Sequence, residues 1–261
     1  MPENQPTILV TNDDGVQAPG IKALAKAMTT LGKVVVVAPD QPQSAMGHAI
    51  TIHKPLRVQK VDFAEGIEAY QCTGTPVDCV KLAVDKVLHK QPDLCVSGIN
   101  HGSNSSINVI YSGTMSAAME AAIEGIKAIG FSNTDYGEDA DMTAAANYAQ
   151  TIAKEVLQNG LPKSTLLNVN IPAIPMEEIK GMRVCRQAVA KWEEDFEERA
   201  DPRGEKYYWL KGRFVNHDKG HDTDEWALEN GYVSIVPVQF DLTAHHGISF
   251  INENWDISSC T

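Results

Sequence analysis

Short apolar runs that alternate with helical patterns constrain the fold of this chain more than any other feature. Several of these runs are continuous in Val, Ile and Leu, which is typical of parallel strands that are covered on both faces. Alternation of strands and helices predicts a doubly wound, mostly parallel α/β sheet. The predicted strands are Thr7–Thr11, Val34–Ala38, Leu94–Ser97, Ala128–Phe131 and Leu166–Asn170.

Four helices are predicted between or beside these strands. The clearest begins at Pro76, because Thr75 is a favourable N-cap residue and proline is favoured at the first helical position. The others are indicated by apolar residues at helical spacing or by runs of alanine. The predicted helices are Ile21–Leu31, Pro76–Leu88, Thr114–Glu124 and Ala144–Gln158.

The final third of the chain changes character. Lys191–Ala200 is highly charged, Lys206–Phe214 is predicted to be extended or a hairpin, and Asn216–Asp224 is predicted to be a loop. Gly231–Val238 is predicted to be a strand. Because this region has too little apolar mass for a core of its own, we expect it to pack on the sheet or on a neighbouring subunit.

The chain has 261 residues and a formal net charge of -12. This charge argues against broad binding to nucleic acid or to anionic membranes, which requires basic patches. No apolar run approaches the ~18–20 residues of a transmembrane helix, and the first residues lack the features of a signal peptide. Of the five cysteines, Cys79 and Cys95 lie in apolar runs and are predicted to be buried thiols. We therefore expect a cytoplasmic protein in a reducing compartment.

Polar residues follow three of the predicted strands at the point where each strand ends. Asn12, Asp13 and Asp14 follow the first strand. Ser44 lies in the loop after the second strand, and Asn100 follows the Leu94 strand. Ligands of open α/β sheets bind outside the carboxyl ends of the strands. We therefore expect these side chains to converge at one edge of the sheet.

The side chains in these loops are mainly oxygen donors. Adjacent carboxylates such as Asp13 and Asp14 repel each other unless a cation lies between them. Oxygen ligands suit Mg²⁺, Mn²⁺ or Ca²⁺ better than Zn²⁺. The alternative is that the Asp-Asp-Gly turn only caps the next helix, but the two further polar loops favour a metal site.

A Ser-Gly-Thr turn, Ser112 to Thr114, precedes a helix that is rich in small residues. Free N–H groups and the helix dipole make such a turn a site for anions, and Gly113 would let the backbone approach a ligand closely. The alternative is an ordinary N-cap. Beside a divalent-metal loop, the turn predicts a phosphate held between the metal and the helix N-terminus.

Histidines are weaker candidates for a role in catalysis. His101 follows Asn100 and is a candidate acid or base, and the alternative is a loop histidine that only forms hydrogen bonds. The other histidines considered, each with a weaker case, are His48, His217, His221, His245 and His246.

Six segments taken together resemble the SurE family, the survival protein E nucleotidases. They are TNDDGVQAPGI, APDQPQS, TGTPVDCV, VSGINHGSN, YSGTMSAAMEA and GYVSIVPVQFDLTAH, and they occur in this order between about Ile8 and His245. The resemblance implies a Rossmann-like, three-layer αβα sandwich with a mostly parallel sheet. It also implies one domain over residues 1–261, with the core in 1–180 and a C-terminal extended hairpin and oligomerisation or swapping region in 181–261.

The resemblance further implies an activity. Members of this family are divalent-metal-dependent phosphatases that act on nucleoside monophosphates at the 5′ or 3′ position, with polyphosphate as a side substrate of some. The implied cofactor is one Mg²⁺ or Mn²⁺ ion per subunit, with Ca²⁺ as an alternative. The implied assembly is a homodimer or a homotetramer. By motif position, the metal ligands would be Asp13, Asp14, Ser44 and Asn100.

In the same scheme, Asp13 and Asp14 would be the catalytic residues, and either could act on the attacking water. The residues expected to contact phosphate or substrate are Asn12, Asn100, Ser112, Gly113 and Thr114.

Three other classes fit the residues less well. A calcium-dependent nucleoside hydrolase would need more aspartates after the first strand. A phosphotransferase of the haloacid dehalogenase type would need a D-x-D spacing, whereas the two acids here are adjacent. A regulatory module with a degenerate site would not be expected to keep all four implied ligands.

Overall fold

The computed structural model of the chain describes residues 5–137 and 139–256. Its strands are β1 Thr7–Thr11, β2 Lys33–Pro39, β3 Val58–Ala64, β4 Ile67–Cys72, β5 Leu94–His101, β6 Ala128–Asn133, β7 Thr165–Ile171, β8 Met182–Val184, β9 Ala190–Ala200, β10 Lys206–Asn216 and β11 Val233–Gln239. Within the described residues, one sheet has the order β3-β4-β2-β1-β5-β6-β7-β11-β8, and β9 and β10 form a separate hairpin.

Helices cover the sheet and extend the C-terminal region. They are α1 Pro19–Met28, α2 Pro76–Leu82, α3 Asn108–Tyr111, α4 Gly113–Ile123, α5 Thr143–Asn159, α6 Asp224–Glu229 and α7 His245–Asn254. A π-helical stretch, Ala83–Leu88, continues α2, and a 3₁₀ turn, Met176–Glu178, follows β7. None of the helices in the part of the chain that is described is long and apolar enough to cross a membrane.

The centre of the sheet is parallel, and one antiparallel pair lies on each side of it. From β4 through β2, β1, β5 and β6 to β7, every neighbouring pair is parallel. β3 is antiparallel to β4, and β11 is antiparallel to β7. The predicted α/β fold with a mostly parallel sheet is confirmed.

The predicted strands are all present, but the strand that begins at Leu94 is longer than predicted. β5 continues beyond Ser97 to His101, because pairing with β6 resumes at Asn100, opposite Ser132, after a shift in register. Gly98 permits this irregularity: its φ is +127°, and a Cβ there would lie 2.3 Å from a backbone oxygen. The prediction that the polar residues up to His101 form a loop is therefore wrong.

Two apolar layers, one on each face of the sheet, form the core. Alternating residues of β1 enter both, since Ile8 and Val10 belong to one cluster and Leu9 to the other. α1 and α5 contribute to the first layer, whereas α2 and α4 contribute to the second. The residues of β1 are fully buried, as predicted for a strand covered on both faces.

The helices on the second face are positioned by local sequence signals. Thr75 caps α2 as predicted, and its side chain forms a reciprocal capping box with Asp78. Ala117, Ala118 and Ala121 in α4 are fully buried, which allows this helix to lie close to the sheet. The start of α4 is thereby brought to the sheet edge where β1 and β5 end.

The C-terminal region adds both sheet and hairpin structure. The extended prediction for Lys206–Phe214 and the strand prediction for Gly231–Val238 are confirmed by β10 and β11. Lys191–Ala200, predicted only to be charged, lies in β9 and pairs with β10 along its whole length. The predicted loop is present between Asn216, which ends β10, and Asp224, which begins α6.

The predicted buried thiols are confirmed. Cys79 and Cys95 are fully buried, and both are free cysteines. Cys72 and Cys185 are also buried and free. Cys260 lies outside the described residues.

Candidate metal and phosphate site

The candidate site lies where the carboxyl ends of β1, β2 and β5 meet. β2 pairs with one edge of β1 and β5 with the other, and the order of the strands reverses at this point, which leaves a crevice. A cavity of about 220 Å³ occupies it. The lining includes five residues that the sequence predicts to converge, Asp13, Asp14, Ser44, Asn100 and Ser112.

Asp13 is almost fully buried, with 4% of its surface exposed. Its Oδ1 accepts a hydrogen bond of 2.5 Å from the Thr114 hydroxyl. Burial, followed by repulsion from Asp14, raises the pKa of Asp13 to about 6, although hydrogen bonds from Thr114 oppose the rise. The site therefore holds a carboxyl group that is costly to ionise unless a cation is near.

The ionised form of Asp14 is also disfavoured. Burial raises the pKa of Asp14, while the imidazole and the backbone N–H of His101 act in the opposite direction. Its Oδ2 is buried and has no hydrogen-bond donor among the described residues. A buried carboxylate oxygen without a donor is unfavourable, so this atom is suited to a cation.

Asn100 presents its amide oxygen to the cavity. Its Nδ2 donates to the carbonyl oxygens of His101 and Gly102, at 3.1 Å and 2.8 Å. These two bonds fix the orientation of the amide group, because only the nitrogen can donate. The oxygen is the end of the side chain that remains for a ligand.

Ser44 reaches the cavity on the loop that follows β2. The Gln43 N–H donates to the Asp13 carbonyl oxygen at 2.8 Å, which holds this loop against the end of β1. The Val16 N–H donates to the Pro39 carbonyl oxygen at 2.9 Å and closes the same corner. Ser44 itself is exposed, as expected for a side chain at the mouth of a cavity.

This set of donors fits a divalent cation. Two carboxylates, an amide oxygen and a hydroxyl line one cavity, and no Lys or Arg is among the described residues that line it. No group of three or more His, Cys, Asp or Glu side chains suited to a metal occurs in residues 5–137 and 139–256. The ligands would therefore be of mixed type, and oxygen donors of this kind are the ones that Mg²⁺ and Mn²⁺ accept.

The N-terminus of α4 begins at the same cavity. Ser112 is its N-cap, and its Oγ accepts from the Met115 N–H at 3.0 Å, so the hydroxyl proton remains available to an anion. A Cβ at position 113 would lie 2.7 Å from Asp13 Cβ and 2.8 Å from Asp13 Oδ2. Glycine at this position therefore allows the start of α4 to lie directly against Asp13.

Three of the predicted contact residues do not line the cavity, namely Asn12, Gly113 and Thr114. Asn12 is fully buried and donates from Nδ2 to the Gly15 carbonyl oxygen at 3.0 Å. Thr114 is fully buried and donates to Asp13. In this arrangement Asn12 shapes the turn after β1, and Thr114 orients Asp13.

His101 lines the cavity and has a partner that the sequence does not reveal. Its Nδ1 lies 2.8 Å from the Gly137 carbonyl oxygen. Because a carbonyl group only accepts, Nδ1 carries the proton and Nε2 is the other ring nitrogen, which can face a ligand. None of the other five histidines considered lines this cavity.

Asn104 is a lining residue that the sequence does not single out, although it ends the segment VSGINHGSN. Its backbone N–H donates to Asn170 Oδ1 at 2.8 Å, and its Nδ2 donates to Ser132 Oγ at 2.9 Å. Its carbonyl oxygen accepts from Asn168 Nδ2 at 2.8 Å. These bonds to β6 and β7 hold the loop after β5 rigidly at the cavity.

Three aromatic residues of the lining, Tyr111, Tyr136 and Trp192, are not predicted from sequence. Tyr136 packs on Gly102, where a Cβ would lie 2.2 Å from the ring. Trp192 comes from β9, far along the chain. Of the three, only Tyr111 has a position in the sequence that suggests the site, because it directly precedes the Ser-Gly-Thr turn.

Known proteins resemble the chain over nearly its whole length. The family model described as Survival protein SurE matches residues 8–194. The 5′-nucleotidase SurE of Flavobacterium psychrophilum is 62% identical over 256 residues, which cover 98% of this chain and 99% of that protein. The 5′-nucleotidase SurE of Christiangramia forsetii is 60% identical over 260 residues, 99% of this chain and 100% of that protein. The crystal structure of the SurE protein from Aquifex aeolicus is similar with a TM-score of 0.83 at 42% identity, over 95% of this chain and 99% of that one.

Proposed function

The chain belongs to the SurE family, and from that premise we propose that it is a 5′-nucleotidase that needs a divalent metal ion. It hydrolyses the phosphomonoester bond of nucleoside 5′-monophosphates and releases inorganic phosphate. Nucleoside 3′-monophosphates and polyphosphate are proposed as secondary substrates. The curated relatives named above support the nucleotidase activity through their names and their identity to this chain.

The observation that carries this proposal is that one cavity contains a position that favours a cation and a position that favours an anion. Asp13 and Asp14 are adjacent in a cavity that no Lys or Arg of the described residues lines, and the N-terminus of α4 is favourable for an anion. A metal ion together with a phosphate group satisfies both. A nucleic-acid polymer is not proposed as a partner, because the net charge of -12 opposes it.

The proposed metal ligands are Asp13, Asp14, Ser44 and Asn100. When bound, the ion polarises a phosphoryl oxygen and lowers the pKa of a coordinated water. Mg²⁺ and Mn²⁺ are the proposed ions, one per subunit, since the donors are oxygens.

The phosphoryl group is bound by the start of α4. The Ser112 hydroxyl donates to one phosphoryl oxygen, and the dipole of the helix that Ser112 caps favours the negative charge of the same group. Donors held in place before the reaction stabilise the charge that develops in the transition state. Asn104, fixed by its bonds to Asn170 and Ser132, adds a rigid polar group to the lining of the cavity.

The two acids have different surroundings, which suggests different contributions. Thr114 already donates to Asp13 Oδ1, so Asp13 is held in one orientation as a ligand. Asp14 Oδ2 has no donor in the described chain. We assign to Asp14, in addition to its place among the metal ligands, the role of accepting a proton from the attacking water.

A phosphate-release panel tests the proposed function. The substrates are 5′- and 3′-nucleoside monophosphates and polyphosphate, each assayed with Mg²⁺, Mn²⁺, Ca²⁺ or EDTA. We expect release from 5′-nucleotides with Mg²⁺ or Mn²⁺ and none with EDTA. Absence of metal-dependent release from every substrate would contradict the proposal.

A further inference from the structure

The polar cavity continues into a second, apolar cavity. The second cavity has a volume of about 360 Å³ and lies between the loop after β2, the end of α3 and the base of the β9–β10 hairpin. It shares Ala45, Tyr111 and Trp192 with the polar cavity. Leu210 and Gly212 extend its mainly apolar wall along the hairpin, where Glu194 and Lys211 also line it. The two cavities therefore form one continuous cleft with a charged end and an apolar end.

Two aromatic rings stand at the junction of these cavities. Tyr111 is 55% exposed and Trp192 is 40% exposed. Trp192 is nevertheless held in place, since its Nε1 donates to Asn108 Oδ1 at 2.7 Å and its ring packs edge-on against Phe214 at 5.7 Å. An exposed ring that is fixed by its own hydrogen bond is a ready surface for a flat ligand.

One of these rings lies next to the proposed phosphate position in the sequence. Tyr111 is the residue before Ser112, which caps α4 at the proposed phosphate position. A nucleotide bound by its phosphate at that helix must place its ribose and base beyond the phosphate, on one side of the cleft. The apolar cavity lies on the side of Tyr111 and is open to the polar one.

We propose that Tyr111 and Trp192 form the subsite for the nucleobase of the substrate, which stacks on one or both rings. This inference rests on the proposed nucleotidase function and names the part of the substrate that the apolar cavity binds. Stacking does not depend on the hydrogen-bonding edge of a base. The subsite therefore accepts all bases and favours purines over pyrimidines, because a purine offers the larger stacking surface.

Tyr136 is the competing candidate for this role. It also lines the polar cavity and is 71% exposed. It packs on Gly102, at the His101 side, and it does not line the apolar cavity. A base that stacked on Tyr136 would leave the apolar cavity without a role in binding the substrate.

The test compares AMP with ribose 5-phosphate, which has the same phosphate and sugar but no base. The variants are Tyr111→Ala, Trp192→Ala, Tyr136→Ala and Trp209→Ala. Trp209 is the matched control, because its side chain is exposed on the other face of the same hairpin. Steady-state constants are measured for both substrates with the same metal ion.

For Tyr111→Ala and Trp192→Ala, we expect kcat/KM for AMP to fall roughly tenfold more than kcat/KM for ribose 5-phosphate, mainly through KM. Tyr111→Phe keeps the ring and restores the AMP value. Equal losses on both substrates, or a selective loss only in Tyr136→Ala, would overturn the proposal.

Calorimetric binding of AMP and ribose 5-phosphate separates this proposal from the nucleotidase function. If the wild-type protein hydrolyses neither compound, the proposed function fails, and the subsite is then judged by binding alone. Weaker binding of AMP in Tyr111→Ala and Trp192→Ala, with no such change in Trp209→Ala, supports the subsite. Unchanged AMP affinity in both variants overturns it.

Discussion

Asp13 and Asp14 are adjacent acids whose position is unfavourable for the protein alone. The pKa of Asp13 rises from 3.8 to about 6, and such a rise corresponds to about 3 kcal/mol of stability lost at neutral pH. Because the folded pKa is the higher one, the favourable contribution of the neutral carboxyl is present below pH 3.8 and is lost as the pH rises through about 6. At pH 7.5 the metal-free protein therefore carries the full cost, which a bound cation offsets.

The substitution Asp13→Asn tests this balance. In EDTA at pH 7.5 we expect the variant to be more stable than the wild-type protein by up to about 3 kcal/mol, because the buried charge and its repulsion from Asp14 are removed. Added Mn²⁺ should raise the melting temperature of the wild type only, and phosphate release by the variant should be lost. Unfolding is followed by circular dichroism, whose folded-state spectrum should be the same for both. Near-normal turnover by the variant with saturating Mn²⁺ would show that Asp13 is dispensable.

Gly113 is a second residue at which a small change should have a specific effect. In Gly113→Ala the new Cβ would lie 2.7–2.8 Å from Asp13 atoms, so the carboxylate must move. We expect phosphate release to fall at least tenfold, while alanine maintains the helix. Gly247→Ala is the control, because it also lies in a helix and its Cβ would meet nothing closer than 3.5 Å. If the two variants have equal activity, the interpretation that Gly113 is required to leave room for Asp13 is wrong.

At the scale of elements, the loop that carries Ser44 is tied to two helices at its far end. His48 Nε2 lies 2.8 Å from Glu120 Oε2 of α4, and Lys81 forms an ion pair with the same carboxylate. Thr75, the N-cap of α2, donates from Oγ1 to the Ala49 carbonyl oxygen at 2.7 Å. Thr75, predicted from sequence only as the N-cap of α2, thus also anchors the loop of a proposed metal ligand.

Glu120 is the best position at which to test this anchor. Its side chain is only 4% exposed, and hydrogen bonding from His48, then from Lys81, lowers the pKa of Glu120 below its ordinary 4.5. The stabilisation is therefore present above pH 4.5 and is lost as the pH falls through the lower folded value. In Glu120→Gln we expect a loss of stability at pH 7 below the ~3–5 kcal/mol typical of fully buried pairs, because His48 and Lys81 are partly exposed.

The same variant should bind Mn²⁺ several-fold more weakly, since Ser44 is less well positioned. Glu124→Gln is the matched control, because Glu124 follows Glu120 by one helical turn and also lies near Lys81, but its side chain is 39% exposed. Chemical denaturation at pH 7 and at pH 4, with calorimetry for Mn²⁺, measures both effects. A stability difference from wild type that does not shrink at pH 4 would contradict the assigned role of the carboxylate.

The elements that the sequence predicts best are those whose residues have the same surroundings along their length. β1 has the predicted bounds because every residue is buried, so its apolar run is continuous. β9 has no such run: its pairing with β10 is supported by cross-strand contacts such as Arg213–Glu193 and Lys206–Glu198, which no local pattern reveals.

The residues of the candidate site can also be divided into those that the sequence predicts and those that it does not. Asp13, Ser44 and Asn100 can be placed together from sequence, because the carboxyl ends of parallel strands meet at one edge. Trp192 and Tyr136 cannot, since their approach to the cavity depends on how the hairpin and a surface loop pack. Asn12 and Thr114 belong to the predicted loops, but only coordinates separate the residues in the cavity wall from those that support it.

At the scale of the whole molecule, the β9–β10 hairpin has two unlike faces. The register pairs Phe196 with Leu210 and Trp192 with Phe214, so these residues share one face. Trp209 lies on the other face, among side chains of both charges. The outer part of the apolar face is exposed, with Phe196 61% exposed and Leu210 59% exposed. An isolated two-stranded hairpin is marginally stable, and exposed apolar patches of this kind are typical of interfaces.

We therefore expect the chain to form a homodimer or a homotetramer in which the outer part of this face, around Phe196, is covered by another copy. The substitution Phe196→Glu places a charge on that face and should lower the assembly mass measured by light scattering after gel filtration. Trp209→Glu, which places the same charge on the opposite face, should leave the mass unchanged. Since Phe196 is further from the polar cavity than Trp192 along β9, hydrolysis of ribose 5-phosphate provides a check that the fold of each subunit is kept. A wild-type protein with the mass of a monomer, or equal dissociation by both substitutions, would show that this face is not the interface.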